Sequence, residues 1–175
     1  FALLVFAASV SYSQSTSELV FKNSYLLSGT ALEDGAKYVF PNVTTGIDAV
    51  LEIKGRSGSS VVVNNIDITN LGWDKAFQPE IGMPGTAPAN TNWWVDFEIT
   101  FFEAGFTTLN KKVQLKDFTV TGLDIDGDGQ GIREYVEMNE VTTMSMSSNT
   151  LLQSTVMATL PVNSYSGKVE FDYKF

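Results

Sequence analysis

The chain has 175 residues, no cysteine and no histidine, and 20 acidic against 11 basic side chains, for a net charge of −9. Without imidazole or thiol there is no Ser-His-Asp triad, no Cys-His dyad, no iron–sulfur or zinc site of the usual ligands and no disulfide. The negative charge argues against nucleic acid or an anionic membrane surface as partners, whereas a 43% hydrophobic composition supplies a real core and excludes a disordered chain.

Residues 1–10 read Phe-Ala-Leu-Leu-Val-Phe-Ala-Ala-Ser-Val and carry no charge. That is the length of a signal-peptide apolar region, about 7–15 residues, and far short of the roughly 20 needed to span a bilayer. Small residues at Ser11 and Ser13 fit a cleavage site with the cut after Ser13. Residues 1–13 are therefore expected to be a signal-peptide remnant, with the initiating Met and basic region lying upstream. The plain alternative is a first strand or a buried helix. Residues 14–175 are expected to form a single domain, secreted or held at the cell surface, with no membrane insertion in the mature form. An exported chain without cysteine fits a bacterial surface protein better than a small secreted eukaryotic domain.

Strands and turns fill the rest, and no stretch of 10–12 residues shows a 3.6-residue period. Residues 37–40 read as a short strand ended by Pro41. Ile47, Ala49, Leu51 and Ile53 alternate with Asp48, Val50 and Glu52, a strand with one wetter face. Residues 54–59 form a turn and 60–68 another strand, rich in Val and Ile. A proline- and glycine-bearing loop covers residues 69–92, with a short strand expected at 76–80. The clearest strand spans residues 93–103. Trp93, Val95, Phe97, Ile99 and Phe101 fall on one face, and Trp94, Asp96, Glu98, Thr100 and Phe102 on the other. Further strands are expected over 112–121, 131–139, 141–147, 150–160 and 168–175. About eight to ten short strands make an all-β, antiparallel two-sheet sandwich, jelly-roll or Ig-like, the expected fold.

One motif carries specific chemistry. Asp124, Asp126 and Asp128 alternate with Ile125 and Gly127, and Gly129 follows. Asp at positions 1, 3 and 5 with Gly at 6 is the first half of an EF-hand-type calcium loop. Alternate residues turn three carboxylates toward one point, and glycine lets the chain reverse without a Cβ clash. Gln130, at position 7, would give its backbone carbonyl. The second half departs from the pattern, because position 12 is Tyr135 instead of Glu. Glu134 is the favoured last ligand, Glu137 the near alternative, with Asp48 and Asp96 as distant candidates. Six acids and one base, Arg133, lie between Asp124 and Glu140, a local charge of −5. Such crowding favours a bound Ca2+, since the carboxylates otherwise repel one another. A solvated Asp/Gly turn is the competing reading, and Mg2+ fits less well because it prefers fewer protein ligands.

Weaker signals remain. Trp73, Trp93 and Trp94 could form a platform for sugar rings, Trp94 being the best placed, against ordinary packing as the plainer explanation. Asp96 and Glu98 share a face and could serve as ligand-binding groups or an acid/base pair, but paired acids on a wet strand face are commonplace. Asn42-Val43-Thr44 matches a glycosylation sequon. Met144, Met146 and Met157 are expected to fill core space.

The segments Phe40-Pro41-Asn42-Val43-Thr44-Thr45-Gly46-Ile47-Asp48-Ala49, Ala76-Phe77-Gln78-Pro79, Val95-Asp96-Phe97-Glu98-Ile99-Thr100-Phe101, Leu123-Asp124-Ile125-Asp126-Gly127-Asp128-Gly129 and Arg133-Glu134-Tyr135-Val136-Glu137, with the export segment, together resemble a β-sandwich module of large exported bacterial surface proteins of adhesin-like type. The resemblance implies a non-catalytic extracellular module beside further modules of a longer chain. The expected partner is a glycan or a surface protein, and the alternative function is a carbohydrate-binding module using exposed Trp.

Overall fold

The computed structural model describes residues 18–70, 72, 75–86, 88–109, 111–115, 134–139, 155–157 and 166–169. The chain divides into two compact units, Phe1–Phe118 and Thr119–Phe175. Among the described residues every strand pairing is antiparallel, and the only helical element is a single 3-10 turn at Thr107–Leu109.

The first unit is organised by a four-stranded sheet in the order β1 (Tyr25–Ser28), β2 (Lys37–Thr44), β3 (Ile47–Arg56), β6 (Val95–Glu103). A second ladder joins β4 (Val62–Asn65) to β5 (Glu80–Gly82). Strands β2 and β3 make a hairpin closed by Thr45 and Gly46. Gly46 takes a φ of 75°, a turn conformation that a residue without Cβ adopts at little cost.

Period-2 alternation sorts the sheet into two faces. Tyr38, Phe40, Ala49, Leu51 and Ile53 build the main core with Phe21, Val63 and Ile66, and Phe77, Phe97 and Phe101 pack against it. Its aromatic centre is edge-to-face: Phe21 meets Phe40 at 5.3 Å and Phe77 meets Phe97 at 5.2 Å between ring centroids. The opposite face carries a smaller cluster of Val39, Val50 and Phe102, with Leu27 against it. The middle of β3 is thus covered on both sides. Asp48 and Val50, assigned by alternation to a wetter face, are buried.

Pro41 does not end β2. The strand runs on to Thr44 through a register shift between Phe40 and Thr44. Proline gives no N–H to a ladder, so it is tolerated where the ladder is interrupted. Asn42, next to it, has a φ of 50° and donates its N–H to Asp48 Oδ1 at 2.7 Å. Other boundaries move as well. Strand β3 extends to Arg56, into the expected turn; β4 is shorter than residues 60–68; β5 begins at Glu80, where a strand at 76–80 was expected to end. Strand β1 has no counterpart in the sequence reading. At 112–121 the described residues show one bridge, Phe102 to Lys112, and a hydrogen bond from Val113 N–H to Phe101 O at 2.9 Å.

In the second unit β7 (Val136–Asn139), β8 (Thr155–Met157) and β9 (Ser166–Val169) form a three-stranded sheet in the order β7-β9-β8. These fall within or across the expected strands 131–139, 150–160 and 168–175. The expected strand at 141–147 lies outside the described residues, as do the signal remnant, Met144 and Met146.

Candidate functional site

Strand β6 positions the exposed candidates. Val95, Phe97 and Phe101 face the main core, whereas Ile99, expected on the same face, is 38% exposed. Trp94 stands just ahead of the strand. Alternation sends Asp96, Glu98, Thr100 and Phe102 to the other side. Phe102 closes there on Val39 and Val50. Trp94, 39% exposed, is pinned at its backbone. Its N–H donates to Ser57 Oγ at 3.0 Å, and its carbonyl accepts the Ser57 N–H at 3.0 Å. Trp93 is half-buried, and Trp73 lies outside the described residues.

Glu98 stands directly across from Glu52, and Asp96 across from Gly55. Like charges facing each other on neighbouring strands repel, and two lysines relieve this pair. Lys37 Nζ lies 3.2 Å from Glu52, and Lys54 Nζ lies 3.3 Å from Glu52 and 3.6 Å from Glu98. The register shift between Ile53 and Gly55 falls at Lys54. Burial by itself would raise the Glu52 carboxyl. Hydrogen bonds and charge from Lys37 and Lys54 outweigh it and hold Glu52 below the ordinary carboxylate range. The same contact with Glu52 raises Lys54 above its ordinary value. Asp96 and Glu98 therefore sit on an open strand face, with Glu98 engaged in an ion-pair network.

Of the calcium-loop candidates, Asp124, Asp126, Asp128 and Gln130 lie outside the described residues. Glu134 is exposed and stands two residues before β7. Among the described residues no three acids converge on a point that could hold a metal ion. Asp48, the distant candidate, is only 5% exposed, and each of its oxygens has a protein donor: Asn42 N–H at 2.7 Å and Gly105 N–H at 2.8 Å. It ties the irregular part of β2 to the turn that follows β6. The sequon residue Asn42 is exposed, while Val43 inside the same tripeptide is fully buried.

One buried acid escapes sequence reasoning altogether. Asp67, 8% exposed, accepts the Gln78 N–H on Oδ1 at 3.0 Å, while its buried Oδ2 has no hydrogen-bond partner. Desolvation raises its carboxyl above the ordinary value, and the Gln78 N–H offsets part of that rise. In the sequence it is one polar letter in Ile66-Asp67-Ile68, indistinguishable from the outward residue of an alternating strand.

The chain matches no protein-family model, no curated protein and no solved structure. What it does must be read from its own residues.

Proposed function

We propose that this is a non-catalytic, calcium-binding β-sandwich module of an exported bacterial surface or secreted protein, with a structural or adhesive role. The carrying observation is the run Asp124-Ile125-Asp126-Gly127-Asp128-Gly129, set a few residues ahead of β7 in a chain whose described strands are all antiparallel. Three carboxylates in five residues form a donor set suited to a hard dication that takes six to eight oxygens. Gln130 supplies a carbonyl and Glu134 the last carboxylate. The strand pattern supports two sheets packed as a sandwich. Neighbouring modules of the same chain, a glycan or a surface protein are the partners such a module would meet.

The ion's contribution is modest. Extracellular calcium modules bind at about 10⁻⁴–10⁻³ M. At ten times Kd, linkage gives RT ln 11, about 1.4 kcal/mol. For a chain of this size that is a rise of roughly 3–6 °C in Tm. Calorimetry in millimolar CaCl2 and then in excess EGTA should show this shift, and Asp126→Ala should abolish it. An unchanged Tm, or a shift that survives Asp126→Ala, overturns the calcium reading.

A second reading is favoured by Trp94. An exposed indole just ahead of β6, on a backbone fixed by two hydrogen bonds to Ser57, supports a surface for a sugar ring beside Asp96 and Glu98. This supports a carbohydrate-binding module as the alternative.

A further inference from the structure

The β4–β5 pairing continues past Asn65 and Glu80 as a clamp. Ile68 donates its N–H to Gln78 O at 2.8 Å, Gln78 Nε2 donates to Ile68 O at 2.7 Å, and the Gln78 N–H donates to Asp67 Oδ1 at 3.0 Å. The Asp67 N–H in turn donates to Asn65 Oδ1 at 3.1 Å. These bonds fasten residues 75–78 to residues 66–68. The fastened stretch carries part of the aromatic centre. Phe77 lies 5.2 Å from Phe97, 6.1 Å from Phe40 and 6.2 Å from Phe21 between ring centroids. Lys75 O accepts the Phe21 N–H at 2.8 Å.

Asp67 is the weak member of the clamp. It is 8% exposed, and its buried Oδ2 has no hydrogen-bond partner. Ionised in place, the carboxylate would keep one oxygen out of water with no donor. The charged groups on the neighbouring stretches are exposed Glu80, which pairs with Asn65, and Lys75, whose Nζ lies 2.9 Å from Glu18. Asp74 lies outside the described residues. Among the described residues no cation acts on Asp67: burial pushes its carboxyl up, and the Gln78 N–H alone pulls it down.

We infer that Asp67 makes this clamp a pH-sensitive catch on the aromatic centre, shut while the carboxyl carries its proton and loosened once it ionises. When residues 75–78 lift, water reaches Oδ2 and Asp67 titrates in the ordinary aspartate range. In the shut clamp it holds its proton to higher pH. Below the ordinary range both states are protonated and pH has no effect. Between the two values lifting releases a proton, so the lifted fraction rises by up to tenfold per pH unit. Above the raised value both states are ionised and the effect is complete. The inference goes beyond the proposed function and needs neither calcium nor a glycan.

The test is amide hydrogen exchange of the whole chain in EGTA from pH 3 to pH 8. Rates are converted to protection factors, which divides out the pH dependence of the chemical step. The Gln78, Ile68 and Phe21 amides should lose protection above the ordinary aspartate range, by up to tenfold per pH unit, and then level off. They should exchange faster than Val50 and Leu51, in the middle of the sheet, and respond little to dilute urea, as a local opening does. Asp67→Asn keeps an acceptor for the Gln78 N–H and cannot ionise. Its profile should be flat, with protection at pH 7 above the parent's. Glu80→Gln should keep the parent's profile. Three outcomes overturn the inference: a flat profile in the parent; clamp amides that match Val50 and Leu51 in protection and urea response at every pH, which makes the opening global; or a pH dependence that survives Asp67→Asn or vanishes in Glu80→Gln, which gives the titration to another group. The parent profile can overturn it without any variant.

Discussion

Asp67 is a carboxyl group in the wrong solvent. One oxygen has a backbone donor and the other has none, and an unmet buried polar group costs about 1–3 kcal/mol. Desolvation raises its pKa, so the folded chain holds this proton more tightly than the unfolded chain does. Its contribution to stability is complete below the unfolded carboxylate value and is lost as pH rises through the raised folded value. Asp67→Asn cannot ionise, and its carbonyl oxygen can still accept the Gln78 N–H. The variant should be more stable than the parent at pH 7, by on the order of 1 kcal/mol, and the advantage should shrink toward pH 3. Urea midpoints at pH 3, 5 and 7 give the comparison; equal curves at every pH would show that Oδ2 is solvated in solution.

At the scale of elements, the β2–β3 hairpin and β6 were legible where side chains alternate. Val95, Phe97 and Phe101 reach the core as their spacing dictates, and Ala49, Leu51 and Ile53 do the same, but Ile99 of the same expected face is 38% exposed. Alternation failed where a backbone irregularity met a buried acid. Pro41 reads as a stop in any one-dimensional pattern, yet the strand continues because Asn42 turns its N–H to Asp48. The two residues are only six apart in sequence, but the contact forms across the hairpin turn, and period-2 alternation carries no sign of it. Strand β1 was missed for a related reason: Tyr25 and Leu26 are exposed, and its place comes from pairing with β2. The bond pair at Asp48 should be worth more than its single letter implies. Asp48→Ala orphans the Asn42 and Gly105 N–H groups and should cost about 2–4 kcal/mol. Asp48→Asn keeps one acceptor oxygen and should cost less. A loss under about 1 kcal/mol for the alanine variant in urea denaturation would mean water replaces the carboxylate at both donors.

For the whole molecule, the core of the described residues and the densest acidic run lie in different parts of the chain. Both buried clusters and the residues packed against them fall between Leu19 and Phe102, within the unit Phe1–Phe118. Five of the nine net negative charges lie between Asp124 and Glu140. A core of that content in about 100 residues is within the size at which single domains fold alone. A fragment of residues 18–118 should therefore unfold cooperatively in urea, with a slope of about 1–3 kcal/mol/M, and its midpoint should not respond to calcium. The 175-residue chain should keep the calcium response, because the acidic run is restored. The competing expectation, one domain over residues 14–175, requires the fragment to lose its cooperative transition, since part of its apolar surface would then lack a cover. The two experiments divide the possibilities. A cooperative, calcium-blind fragment puts the ion's effect in residues 119–175 alone, whereas a fragment without a transition makes the stabilisation by calcium a property of the entire chain.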